Sequence, residues 1–378
     1  MIEILLLLFF IILLIHYLFF LFKIYSGLKK LKPETACKIT NEFVSVLIPF
    51  RNEEKNILKT LKSVESQDYP EERFEVIFID DHSDDNSKKL LEKNISKGNI
   101  KVISVPKDYS VKAHKKRAIR YGIENSKGQI IITTDADCIH NKDWLKTLLS
   151  FFDDQTGFVS GPVKFVESKN LFGRLQELEF AGLVITGAGL IGSNSPTICN
   201  AANIAYRKKV FDEVGGFSLQ MNLSSGDDEL LMQKIFKDTN YKIKFALDKN
   251  AVVETEANEN LKQFYQQRKR WASKGLFYKN KSLVLKLILI YLFYLSLLIQ
   301  PILGFTLDSR FFISFLICLV AKVLLEFLIL RKGTELLFHK QILNTFLLAE
   351  LLHIPYIIIA GLSGALGNYK WKDRLISR

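Results

Sequence analysis

The chain has 378 residues, 48% of them hydrophobic, and a formal net charge of +12. That length suits two or three domains. The four cysteines (Cys37, Cys138, Cys199, Cys318) form no CxxC pair and no metal-ligand spacing, which excludes a disulfide framework and reads as isolated thiols in a reducing compartment.

The positive charge does not mark a nucleic-acid binder, because many of the basic residues flank apolar blocks, where anionic headgroups attract Lys and Arg. Residues 4–22 carry no formal charge and are long enough to cross a bilayer core. Met1-Ile2-Glu3 supply no Lys or Arg and no small-residue cleavage site follows, so residues 1–23 predict a retained membrane helix. Lys23, Lys29, Lys30 and Lys32 lie just after it. The positive-inside bias then puts the central domain in the cytoplasm, and the expected setting is a multi-pass protein of a bacterial inner membrane. Residues 24–42 form a basic linker.

Residues 43–50 (FVSVLIPF) are continuously apolar with β-branched members, as in a buried parallel strand. Residues 74–79 (FEVIFI) predict a second strand ending at Asp80-Asp81. Residues 102–105 predict a third, and 129–134 (QIIITT) a fourth ending at Asp135. Helical segments at 87–93 and 113–125 separate them, which implies βαβ units and a parallel sheet. Both acidic motifs then fall at carboxyl ends of strands, where open α/β sheets bind ligands. A strand at 158–163, a helix at 171–183 and a Gly/Ser/Asn-rich loop at 186–195 follow. A helix after Asp228 runs to about residue 236, and residues 264–275 form a basic amphipathic helix. Three more apolar blocks lie at 283–306, 311–330 and 342–366, with 343–367 expected to be the irregular one because it holds Pro355 and several Gly. Residues 43–260 are thus a catalytic-type domain, 261–282 an interfacial segment, 283–366 two to three membrane segments and 367–378 a basic tail. Lys322 and Glu326 are four residues apart and pair on one helix face.

Four motifs carry the chemistry. Asp80-Asp81 sit at a strand-to-turn junction, where a carboxylate can accept a uracil imide N–H or simply cap a turn. Asp135 and Asp137 face the same way in extended backbone. They suit a hard divalent cation that shares phosphate oxygens, or an ordinary acidic turn. Of the basic residues Lys112, Lys115, Lys116 and Arg117, Lys115 is the candidate phosphate contact, and a solvated helix face is expected for most of the others. Asp227 and Asp228 open a helix, so each can stabilise its N-terminus or act as the base that takes a hydroxyl proton. Gln267, Arg270 and Trp271 share a helix face, with Arg270 suited to phosphate and Trp271 to a sugar or an interface.

In this order the motifs resemble those of membrane-bound family 2 glycosyltransferases, the branch of cellulose, hyaluronan and poly-N-acetylglucosamine synthases and ceramide glucosyltransferases. The resemblance covers residues 44–271. It implies an α/β, GT-A-like domain with flanking transmembrane helices, and inverting hexosyl or N-acetylhexosaminyl transfer from a nucleotide diphosphate donor, a UDP-sugar, to a lipid or glycan acceptor. In it, Pro49, Arg51 and Glu53 resemble the loop that receives the nucleotide, with Asp80 beside Asp81, the uracil-binding acid. Asp135 and Asp137 resemble the DxD that reaches the diphosphate and an Mg²⁺ or Mn²⁺ ion. The segment with Asn200 and Asn203 resembles the acceptor side. Asp228 resembles the base, and Gln267, Arg270 and Trp271 the QxxRW signature. His82 stands where the family has glycine, and Gly-Asp-Asp replaces Thr-Glu-Asp. Few membrane segments favour single transfer to a lipid or lipid-linked acceptor over a processive synthase. A non-catalytic scaffold that binds nucleotide sugar is the reading from another class.

Overall fold

The computed structural model describes residues 1–33, 41–109, 114–217, 226, 228–273, 278, 280–366, 369–371 and 374–376. A seven-stranded sheet forms its centre. In chain order the strands are β1 (Val44–Phe50), β2 (Phe74–Asp80), β3 (Ile100–Ser104), β4 (Ile130–Thr133), β6 (Thr156–Ser160), β8 (Ile204–Arg207) and β9 (Lys242–Phe245). They lie side by side as β3-β2-β1-β4-β8-β6-β9. A small second sheet joins β5 (Ile139–His140), β7 (Val163–Phe165) and β10 (Val253–Thr255).

The first four strands are parallel, as their apolar runs predict. β8 is not: it runs antiparallel to β4 and β6. The cause is its point of entry. Ile204 lies opposite both Thr133 and Ser160, so the chain returns at the edge where β4 and β6 ended and must run back. The single strand expected at 158–163 is two strands, broken at Gly161-Pro162.

Alternate residues of the central strands face opposite apolar layers, as pleating requires. Val46, Ile48, Phe78, Ile130 and Ile132 pack with α2 (Ile57–Glu65) and α5 (Trp144–Ser150). Leu47, Ile77, Ile79 and Ile131 join the layer that continues into the long helices. Among the described residues, five helical stretches are long and apolar enough to cross a membrane: α1 (Ile2–Lys30), α6 (Leu171–Gly192), α10 (Lys281–Thr306), α11 (Arg310–Leu337) and the stretch Lys340–Gly364, which contains most of α12 (Phe346–Leu366). The apolar blocks of the sequence marked four. α6 is the addition, and two thirds of its apolar window is buried inside the protein.

Residues 186–192 belong to α6 and are not a loop. Gly189 and Gly192 serve contact with α1. A Cβ on Gly27 would lie 1.7 Å from the Gly189 carbonyl oxygen, and one on Gly192 would lie 2.3 Å from that of Gly27. Only small residues let two helix backbones meet so closely. The block expected to be irregular is a short turn (Lys340–Thr345) followed by the helix α12, with Pro355 inside it.

Lys322 of α11 is fully buried and pairs with Glu326 one turn on, as the spacing predicts, and with Glu350 of α12. Tyr17 of α1 and Tyr294 of α10 both donate to Glu326. One polar cluster therefore ties together four of the long helices.

Candidate active site

Strands β1, β2 and β4 end at one edge of the sheet, and the acidic motifs follow directly. The β1–α2 and β2–α3 connections (α3, Ser87–Asn94) are hydrogen-bonded to each other there. Asp84 N–H donates to Asn52 Oδ1 at 2.9 Å, and Glu53 N–H to Ser87 Oγ at 2.8 Å. Arg51 braces the pair: Nη1 donates to the carbonyls of Asp81 (3.1 Å) and His82 (2.5 Å), and Nη2 pairs with Asp84 at 2.7 Å. Asp80 accepts from Ser83 N–H at 2.9 Å, a turn-forming contact. Asp81 is buried and takes an ion pair from Arg117 of α4 (His114–Glu124). His82 has a left-handed backbone, φ 62°, the conformation glycine adopts without cost. Pro49 lies within β1, opposite Ile79.

Asp135 and Asp137 follow β4 and are both partly exposed. Thr60 of α2 donates to the Ala136 carbonyl at 2.7 Å, which anchors the loop between them. Lys115 pairs with Asp135 at 2.5 Å. Beneath the loop, burial pushes the Cys138 thiol well up and the neutral His140 ring down to about 3. Both groups serve packing: His140 is held by Ser63 (2.9 Å) and Thr134 (2.8 Å). The basic stretch on α4 does not form a solvated face. Lys115 and Arg117 pair with Asp135 and Asp81 of the acidic edge, and Lys116 is fully buried. Lys112 lies outside the described residues.

Asp228 caps α8 (Glu229–Asp238), accepting from Glu229 N–H at 2.8 Å. Its other oxygen accepts from Ala201 N–H at 3.0 Å, just before β8. The base candidate is thus tied to the same sheet edge. Asp227 lies outside the described residues. The neighbouring Glu229 accepts from the buried Tyr278 hydroxyl at 2.9 Å.

Asn200 closes a turn onto Ala202 N–H at 3.0 Å. Asn203 is buried, and its amide is fully engaged by the framework. It accepts from Trp144 Nε1 (3.0 Å) and donates to the carbonyls of Pro162 (2.8 Å) and Ala251 (2.7 Å). That arrangement has Asn203 bracing the turn that leads into β8.

The basic-aromatic motif lies on α9 (Leu261–Ala272). Gln267 accepts from Asn258 at 2.9 Å, and Trp271 stacks on Phe180 of α6 at 5.9 Å. Arg270 is half-buried with no acidic partner among the described residues. The residue that sequence reading passed over is Arg268. It is buried and forked onto Glu179 of α6, with the Phe264 and Trp271 rings 4.5 and 4.2 Å from its guanidinium. Tyr356 of α12 donates to the same carboxylate at 3.0 Å. An arginine on a helix face that also carries two aromatics was the available signal.

Residues 45–215 match the family model described as glycosyl transferase family 2. The glycosyltransferase AglE of Haloferax volcanii is 29% identical over 55% of this chain and 66% of its own length. A dolichyl N-acetyl-alpha-D-glucosaminyl phosphate 3-beta-D-2,3-diacetamido-2,3-dideoxy-beta-D-glucuronosyltransferase of Methanococcus voltae is 36% identical over 28% of this chain and 32% of its own. The chain thus spans between about a third and two thirds of these relatives. Among solved structures, the Pyrobaculum calidifontis mannosyltransferase PcManGT, in complex with GDP-Man and Mn²⁺, superposes with a TM-score of 0.57 at 19% identity. That match covers 95% of this chain and 98% of that one. With a GT-A-like sheet, these acidic strand ends and that family match, residues 45–215 are a glycosyl transferase family 2 domain.

Proposed function

We propose that the chain is a membrane-anchored, inverting glycosyltransferase. It moves a sugar from a nucleoside diphosphate to a lipid or lipid-linked acceptor at the cytoplasmic leaflet. The observation that carries this reading is convergence: Asp81, Asp135, Asp137 and Asp228, from three separate stretches of chain, meet one edge of a sheet whose apolar layer continues into the long helices. Asp81 receives the base. Lys115 and Arg270 serve the diphosphate, Arg270 from a helix that touches both the catalytic domain and α12. Asp135 and Asp137 fit a divalent cation, since they offer hard oxygen donors two residues apart and are partly open to further oxygen ligands. Mg²⁺ or Mn²⁺ held there supplies charge neutralisation for a departing diphosphate.

Asp228 takes the proton of the acceptor hydroxyl while that oxygen bonds to the anomeric carbon. The bond from that carbon to the diphosphate breaks, and its electron pair leaves with the nucleotide. Backbone hydrogen bonds from Ala201 and Glu229 hold the carboxylate in place. The relative that acts on a dolichyl-linked sugar phosphate supports a lipid-linked acceptor.

The test is nucleotide release by the full chain in lipid nanodiscs, across a panel of nucleotide sugars with Mg²⁺ or Mn²⁺. Asp228→Asn should lower turnover by about 10²–10⁴-fold and leave donor binding intact. Equal turnover in the variant would remove Asp228 as base. No release from any donor, with no donor bound in calorimetry, would remove the transferase reading.

A further inference from the structure

A basic groove lies outside the reaction described above. It runs between the end of α1, the end of α6 and β9, the last strand of the large sheet. Two adjoining hollows of about 470 and 250 Å³ make it up, and Ile191, Ile243 and Lys244 line both. Lys242 lines the larger hollow, and Lys30 and Lys32 line the smaller. Among the described residues, no acid lines either one. Lys244 pairs with Asp153 at 3.0 Å. Lys30, Lys32 and Lys242 are exposed and have no acidic partner among the described residues. A cleft lined by one sign of charge draws in the opposite ion.

The place of the groove in the fold says which anion. α1 meets α6 at Gly27, just past Lys23, and α11 meets α6 at Gly333, just past Arg331. Lys23 and Arg331 each close an apolar run long enough to cross a bilayer. α6 therefore lies where headgroups begin, and Ile191 in its last turn forms part of the groove wall. Resting on the membrane anchoring proposed above, we propose that this groove binds the phosphate headgroup of an anionic phospholipid. Lys30, Lys32 and Lys242 meet the phosphate as point charges. Ile191 and Ile243 lie against the glycerol and the first methylenes, contacts that a free phosphate ion would not use. β9 stands three strands from β4, whose end carries Asp135, a separation of about 14 Å across the sheet. The lipid site is thus distinct from the donor site, and a lipid held there ties the end of the anchor to the last strand of the sheet.

The experiment is native mass spectrometry of the full chain in detergent, titrated with phosphatidylglycerol or with phosphatidylcholine of the same acyl chains. A third arm adds millimolar inorganic phosphate to the phosphatidylglycerol complex. Wild type is compared with Lys30→Gln/Lys242→Gln and with Lys62→Gln/Lys93→Gln, which removes the same charge from α2 and α3. All four lysines are exposed, so unfolding midpoints without lipid should agree. Wild type and the α2/α3 variant should hold phosphatidylglycerol at least about twentyfold tighter than phosphatidylcholine. The groove variant should lose most of that preference, at a factor of about five for each lysine. Inorganic phosphate should leave the lipid bound. An undiminished preference in the groove variant, an equal loss in the α2/α3 variant, or displacement by inorganic phosphate would each overturn the inference and leave the anchoring intact. A chain that stays monodisperse without detergent would overturn the anchoring as well.

Discussion

Replacing Lys322 by Met should be the most damaging single change in the helical layer. Lys322 has no exposed surface, and its ammonium sits 3.1 Å from Glu326 and in direct contact with Glu350. Those carboxylates belong to α11 and α12, and both are nearly enclosed. Met fills much of the lysine's volume, so the loss is electrostatic and not a cavity. Removing one partner of a buried ion pair costs about 3–5 kcal/mol, because the remaining charge stays out of water. Here two carboxylates lose their shared cation, while Tyr17 and Tyr294 still donate to one of them. We expect a loss of about 3–4 kcal/mol, or a fall in unfolding midpoint on the order of 5–10 °C. Scanning fluorimetry of the purified chain in one detergent reads it. Adding Glu326→Gln and Glu350→Gln to Lys322→Met should recover most of the loss, since neutral amides replace stranded charges. A single variant within about 1 kcal/mol of wild type, or a triple variant no better than the single, would refute the claim that this cluster is a mutually dependent charge network.

Three further outcomes follow from the same geometry. Gly27→Leu should separate α1 from α6, because even a Cβ would lie 1.7 Å from the Gly189 carbonyl oxygen; limited proteolysis should then cut between anchor and domain. Arg268→Lys should destabilise by about 1–2 kcal/mol despite keeping the charge, as an ammonium cannot fork onto Glu179 and stack on two rings together; a midpoint equal to wild type would contradict this. His140 is buried neutral, its ring pushed down from 6.5 to about 3. The folded value lies below the unfolded one, so this contribution is complete above about pH 6.5 and is lost as pH falls toward 3. The loss is on the order of 4–5 kcal/mol across that window, and His140→Asn should flatten the corresponding slope in a plot of midpoint against pH.

Much of the fold was legible because it rests on local periodicity. The strands that became β1, β2 and β4 are runs of branched apolar residues, and the acidic motifs at the ends of β2 and β4 mark one sheet edge. Lys322 and Glu326 pair as their spacing required. What was illegible depends on partners distant in sequence. Gly189 and Gly192 look like part of a loop until Gly27, far upstream, is found against them. The antiparallel direction of β8 follows from where the chain returns to the sheet, which no local pattern marks. Arg270 and Arg268 are equally charged in sequence, and only Glu179 on α6 distinguishes them. Asn203 shows the same limit: its three framework contacts come from Trp144, Pro162 and Ala251, none of them adjacent in sequence.

The contact between α1 and α6 has a further consequence. The two backbones touch, and α6 in turn packs against the small sheet and, through Phe180, against Trp271. No slack separates the anchor from the catalytic edge. A bilayer that grips the apolar length of α1 therefore sets the standoff of that edge from the headgroups, as a gauge block sets the height of a tool. For the lipid-linked acceptor proposed above, the height of the hydroxyl above the lipid would matter as well as its chemistry, so a headgroup one sugar longer would present a different candidate even when its terminal residue is the same.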